Sequence, residues 1–176
     1  MAQSSDTHLA AYTPDDLSVQ HESIEQAERW TGIAFELMGN YFVAPLGEVT
    51  EVIHPPSYTR VPNTQPWLKG LANIRGRLLA VSSLSEFISK QNYQEHTQHK
   101  VMCISHNQHY IGLIVDQVFG VQHFNKTHYF SHQHDLGMMF QPYCRGYFQQ
   151  YQQRWHIFLL SQLLGNHDFM NASQHH

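Results

Sequence analysis

The chain has 176 residues, 41% of them hydrophobic, and a formal net charge of −4 with histidine neutral. That is enough to bury one single-domain core or two small fused ones. Its Lys and Arg residues are scattered rather than gathered into a phosphate-collecting stripe, which argues against a nucleic-acid partner, and no apolar run approaches the roughly 18 residues of a membrane span.

Residues 1–29 are polar, with Ser, Asp, Gln and Glu and few large apolar side chains. They read as a mobile extension, either a disordered leader or a partner-binding arm, in which 14–17 and 22–28 could turn helical. The stretch lacks the charged start and apolar centre of a signal peptide, so a cytoplasmic protein is expected. On the same ground Cys103 and Cys144 are expected to be buried free thiols.

The character changes at Trp30. Ile33, Phe35 and Leu37 alternate with Ala34, Glu36 and Met38, the period of a half-buried strand. Gly39-Asn40 marks a hairpin, and 41–44 returns as its second strand. Residues 46–53 fit either a helical turn or a strand bulged at Gly47. On the residues alone, Val49 reads as core and Glu51 as a surface charge. The prolines of 54–62 exclude a helix and a central strand, leaving an extended connector.

Residues 67–81 form the stretch around which the rest is organised. Two apolar segments meet at Asn73-Ile74-Arg75-Gly76, where the chain is expected to reverse, with Gly76 suited to a positive φ. Residues 78–81 read as a largely buried strand. Arg75, beside the turn, either solvates a loop or presents its planar donors to a carboxylate. Residues 84–88 space their apolar side chains as a short helix capped by Ser82 or Ser83.

Residues 90–100 read as a linker or long hairpin loop, 101–104 and 110–115 as paired strands, and 122–142 as a long loop. Residues 143–148 and 155–160 read as strands. A final helical turn capped by Ser161 ends at Gly165, and a polar, frayed tail covers 166–176. Short strands, frequent turns and brief helices together predict an all-β fold, a barrel or a pair of barrels. No phosphate-binding glycine loop, dinucleotide fingerprint or nucleophile elbow is present, so no enzyme activity is expected.

The stretch from Trp67 to Val81 resembles the signature of CheW-like domains, the adaptor modules of bacterial chemosensory arrays. Trp67, Gly70, Asn73, Arg75, Gly76, Leu78, Leu79 and Val81 fall on its pattern. Ala80 stands where the family usually has Pro, and Ser83 where it usually has Asp, though Ser can still cap a helix. The resemblance continues at Val49, Glu51 and Val52, and at Gly112, Val115, Asp116 and Val118. It spans about residues 31–165, within a domain drawn at 30–165.

The resemblance implies two small SH3-like five-stranded barrels packed together, with short helical turns and no cofactor. It implies a non-enzymatic adaptor that couples a CheA-type histidine kinase, through the kinase's regulatory domain, to the cytoplasmic tip of methyl-accepting receptors. Such an adaptor is recruited to membrane receptor arrays. Overall character places the chain nearer the PilI-type adaptors of type IV pilus twitching systems than the flagellar ones, which remain the alternative. The candidate partner-binding residues are Val49, Glu51, Gly70, Asn73, Ile74, Arg75 and Gly76.

Fifteen histidines are the odd feature. The loose cluster His123, His128, His132 and His134 raises a metal- or pH-responsive binding protein as a reading from another class. Without a matching Cys pair or carboxylates, no metal site is assigned. A small β-barrel enzyme would need convergent polar groups that the sequence does not locate.

Overall fold

The computed structural model describes residues 28–92, 98–131 and 135–172. The expectations for residues 1–27, the middle of the 90–100 linker, His132, His134 and the last four residues lie outside them.

Among the described residues eleven strands build two antiparallel-rich sheets. Strands β1 (Arg29–Leu37) and β2 (Asn40–Pro45) start the chain's first sheet. The chain then leaves to build a whole second sheet from β3 (Glu51–Ile53), β4 (Leu68–Ile74), β5 (Arg77–Ser83), β6 (Lys100–His106) and β7 (His109–Val115). It returns with β8 (Gln117–Asn125), β9 (Tyr129–Phe130), β10 (Cys144–Gln150) and β11 (Gln153–Phe158). The sheet orders are β8-β1-β2-β11-β10-β9 and β3-β6-β7-β5-β4. Two SH3-like β units result, the second inserted within the first. The first carries six strands rather than five because the two-residue β9 pairs onto β10.

Each unit has its own apolar centre. Val43, Phe124, Phe148 and Ile157 fill the first, while Ala72, Leu79, Val81, Val101, Cys103, Tyr110 and Ile114 fill the second. The largest cluster joins the two sheets. It takes Phe35, Leu37 and Phe42 from one, Met102, Ile104 and Leu113 from the other, and Trp67, Phe87, Phe158 and Leu160 around them. Phe42 meets Phe35, Phe140 and Phe158 at centroid distances of 5.5, 5.1 and 5.7 Å. Burying several aromatic side chains in one shared layer makes the two units one cooperative body.

Helix α1 (Leu84–Ser89) begins where the Oγ of Ser83 accepts from the Glu86 N–H at 3.4 Å, the cap expected from the sequence. Several expectations need correction. The first hairpin turns at Met38-Gly39, one residue early, with both φ positive at 52° and 72°. Met38 tolerates this because its N–H donates to Asp116 Oδ2 at 2.6 Å, so Asp116 ties the start of β8 to the first hairpin. Residues 46–53 resolve into a 3₁₀ turn, Leu46–Glu48, followed by β3.

Strand β5 is not buried throughout. Leu79 and Val81 point inward while Leu78 is 63% exposed, the alternation that a continuous apolar run conceals. The long loop expected from residue 122 begins later, because β8 runs on to Asn125 in register with β1 and buries Phe124. Ser161 does not cap the late helix. Helix α2 (Leu160–Leu164) starts at Leu159 without a side-chain cap of its own, and the Leu160 N–H donates instead to Glu48 Oε2 at 2.7 Å, a cap supplied from the far end of the chain. Gly165 ends α2 as expected. The tail beyond is ordered through Ala172, with a short helix α3 (His167–Met170) whose Phe169 is buried. One aromatic side chain finding Trp67 outweighs the polar composition around it.

Candidate partner-binding surface

The site is built on the shortest possible reversal. Ile74 pairs with Arg77, so only Arg75 and Gly76 lie between β4 and β5. Their φ values are 52° and 81°, the two positive angles that a primed hairpin turn demands. Gly76 adopts this without cost; Arg75 does so because the turn is locked from outside, with Asn73 Oδ1 accepting the Gly76 N–H at 2.8 Å. Asn73 therefore spends its side-chain carbonyl on the fold.

Arg75 is 81% exposed at its side chain and reaches across the mouth of the second unit to Glu51, with Nη1 3.3 Å from Oε2. The carboxylate that answers this arginine thus lies within the chain. Glu51 is positioned in turn by the buried Tyr110, whose hydroxyl donates to Oε1. Burial first, and the neighbouring carboxylate after it, push the Tyr110 phenol well above its ordinary pKa, so it stays a donor. Behind it the Cys103 thiol is also raised, chiefly by burial. Arg77 lies 4.0 Å from the centre of the Tyr110 ring and donates to Ser105 Oγ at 3.2 Å. The result is a charged, pre-oriented rim, Arg75–Glu51 with Arg77 beside it, standing on strands whose interior is apolar. Only one face of the Arg75 fork is engaged by Glu51, which leaves donors directed at solvent.

Five of the seven candidates meet at this end: Glu51, Asn73, Ile74, Arg75 and Gly76, with Ile74 half-buried against the apolar centre of the second unit. The other two sit apart. Val49 is half-buried against the layer between the units. Gly70 is buried, and a side chain there would collide with the carbonyl of Thr59. Thr59, on the proline-rich connector, exchanges two backbone hydrogen bonds of 2.8 Å with Leu71 and so covers the edge of β4.

Sequence reasoning missed Tyr110 and Val52. The Ser105-Tyr110 register across the β6–β7 hairpin was the available signal for the first, and the in–out alternation of β3 for the second, which is exposed beside Glu51. Of the histidine cluster, His123 Nδ1 lies 2.9 Å from Thr31 Oγ1, and His128 sits in a separate 3₁₀ turn. Among the described residues no group of three or more His, Cys, Asp or Glu is placed to hold a metal, and no helix is long and apolar enough to cross a membrane.

Comparison with known proteins gives a consistent picture. The CheW-like domain family matches residues 31–167. Protein PilI of Pseudomonas aeruginosa is 37% identical over 157 residues, covering 89% of this chain and 86% of that protein. Chemotaxis protein CheW of Helicobacter pylori is 24% identical over 86 residues, 49% of this chain and 52% of its own length. Among solved structures, the scaffolding protein TtCheW of Thermoanaerobacter tengcongensis superposes with a TM-score of 0.66 at 17% identity, covering 83% of this chain and 95% of that one.

Proposed function

The chain belongs to the CheW-like domain family, and from that premise we propose that it is a non-enzymatic adaptor coupling a CheA-type histidine kinase to methyl-accepting receptors in the control of type IV pilus twitching. Its place is then the cytoplasmic side of a membrane receptor array. The similarity to PilI over most of both chains favours the pilus branch over the flagellar one, whose representative aligns with only half of this chain.

The observation that carries the reading is the Arg75–Glu51 rim. An arginine whose backbone is fixed by a turn of two residues faces a carboxylate held by a buried tyrosine, so the backbone that presents the charge pair is in place before binding. Exposed Val52 beside it and the open outer edge of β3 supply apolar surface and unpaired backbone groups for a second β unit, such as the kinase's regulatory domain. Coupling to receptor state then needs only that the adaptor bind the active and inactive receptor arrangements with different free energies.

Calorimetric titration against the kinase regulatory domain from the same cell tests this. Binding at micromolar or tighter affinity is expected; a folded chain that does not bind would refute the adaptor reading.

A further inference from the structure

The stretch after Gly165 is held as a guest rather than as part of a sheet. Helix α3 has four residues, far too few to be stable alone. Asn166 caps it, its Oδ1 accepting from the N–H groups of Asp168 and Phe169 at 2.9 and 3.2 Å. Phe169, only 3% exposed, stacks on Trp67 at 5.2 Å with planes 19° apart and meets Phe87 edge-on at 4.9 Å. The Gln65 N–H closes the segment by donating to the Ala172 carbonyl at 2.7 Å. The side chains of His167 and Asp168 lie in solvent.

Hollows lie on both sides of this guest, and Trp67 borders each. One, of about 430 Å³, is mixed in character, with Pro66 and Trp67 beside the charged Glu86, Lys90 and Asp168. The other, of about 340 Å³, is apolar, running over Leu71, Leu78 and Ile111 to Met170. The segment fills only the middle of this track and leaves Leu78, the most exposed residue of β5's apolar run, uncovered.

We propose that the track across Trp67 and Phe87 is a docking site for a partner's short amphipathic helix, and that Asn166–Ala172 is the chain's own occupant, displaced when the partner arrives. The resident segment defines the partner's chemistry: an Asn, Asp or Ser cap, an aromatic residue three positions later, and apolar residues beyond it to cover Leu71, Leu78 and Ile111. A longer helix wins because it buries the apolar hollow that the four-residue guest leaves open. Gly165 is the pivot, since it ends α2 and among the described residues no sheet pairing follows it. The guest divides the partner's intrinsic dissociation constant by the fraction of time the groove stands open, and so weakens its apparent affinity. This surface is separate from the Arg75–Glu51 rim and stands independently of the kinase reading.

The test uses the whole chain and a labelled peptide of residues 165–172 as the probe. Fluorescence anisotropy should show the peptide binding Phe169→Ala at least about tenfold more tightly than wild type, and the same peptide carrying Phe169→Ala should not bind. Hydrogen exchange on wild type supplies a reading that does not depend on the variant. The amides of Met170 and Asn171 should exchange through local opening, at least about tenfold faster than those paired between β6 and β7. Exchange of both sets only on global unfolding, a folded variant that ignores the peptide, a variant that fails to fold, or self-association by exchange of the segment between copies would each overturn the proposal.

Discussion

The two β units solve the same packing problem with different chain logic. The second is built from one continuous piece, residues 51–115, and closes on itself through the Thr59–Leu71 pairing. The first is split, its β1–β2 hairpin waiting for strands that arrive after the whole second unit has been made. The contiguous unit carries the candidate rim of Arg75 and Glu51. The split unit shares its aromatic layer with its neighbour and so sets the cooperativity of the whole. Only half of the rim is locally encoded: Arg75 sits on the β4–β5 hairpin, whereas Glu51 is placed by the pairing of β3 with the distant β6.

The comparison can be broken by mutation. The largest effect is expected from Phe42→Ala, which opens the layer shared by both units and should cost about 4 kcal/mol, with a single cooperative transition by chemical denaturation. Leu79→Ala, confined to the centre of the second unit, should cost about 3 kcal/mol. Its signature is a selective loss of exchange protection in β5–β7 ahead of β1–β2. If Phe42→Ala leaves the second unit's protection intact, the shared layer does not couple the two.

Asp116→Ala removes the acceptor that lets Met38 turn left-handed and should cost about 2 kcal/mol, measured by the denaturation midpoint at unchanged slope.

A subtler difference is one of pH. His156, in the split unit, is buried beside Phe42 and Tyr147, and burial followed by Arg154 lowers its pKa below the usual 6.5. Below pH 6.5 the unfolded chain takes up a proton that the folded chain resists, so this contribution to stability is present above 6.5 and lost as pH falls from there toward the lowered pKa. The drop in melting temperature between pH 7.5 and 5.5 should shrink in His156→Phe. An equal drop would assign the sensitivity to other histidines.

How far the sequence could be read follows the same division. The Asn73–Gly76 reversal, the Ser83 cap and the end of α2 at Gly165 were legible because each is decided within four residues by turn or cap chemistry. Leu78 was misread because an apolar run does not say which face looks outward. The extension of β8 through Gln122 and His123 was hidden by polar side chains on an exposed strand face, with only Phe124 turned in. The rim was half legible: Glu51 and Arg75 could be named, but that they face each other depends on folding β3 beside β6 and on Tyr110 behind them. The docking of Phe169 on Trp67 was invisible for the same reason, since nothing local announces a contact between the middle of the chain and its tail.

Arg75→Ala should have the smallest effect on stability and the greatest on function. The pair with Glu51 is exposed and screened, so its loss should change unfolding free energy by at most about 0.5 kcal/mol. The decisive measurement is therefore the affinity of wild type and Arg75→Ala for the kinase regulatory domain, with melting temperatures recorded on the same samples. The account predicts at least a tenfold loss of affinity, about 1.4 kcal/mol, at nearly unchanged melting temperature. Unchanged affinity, or a loss of affinity that only tracks a loss of stability, would contradict it and reduce the rim to a feature of the fold.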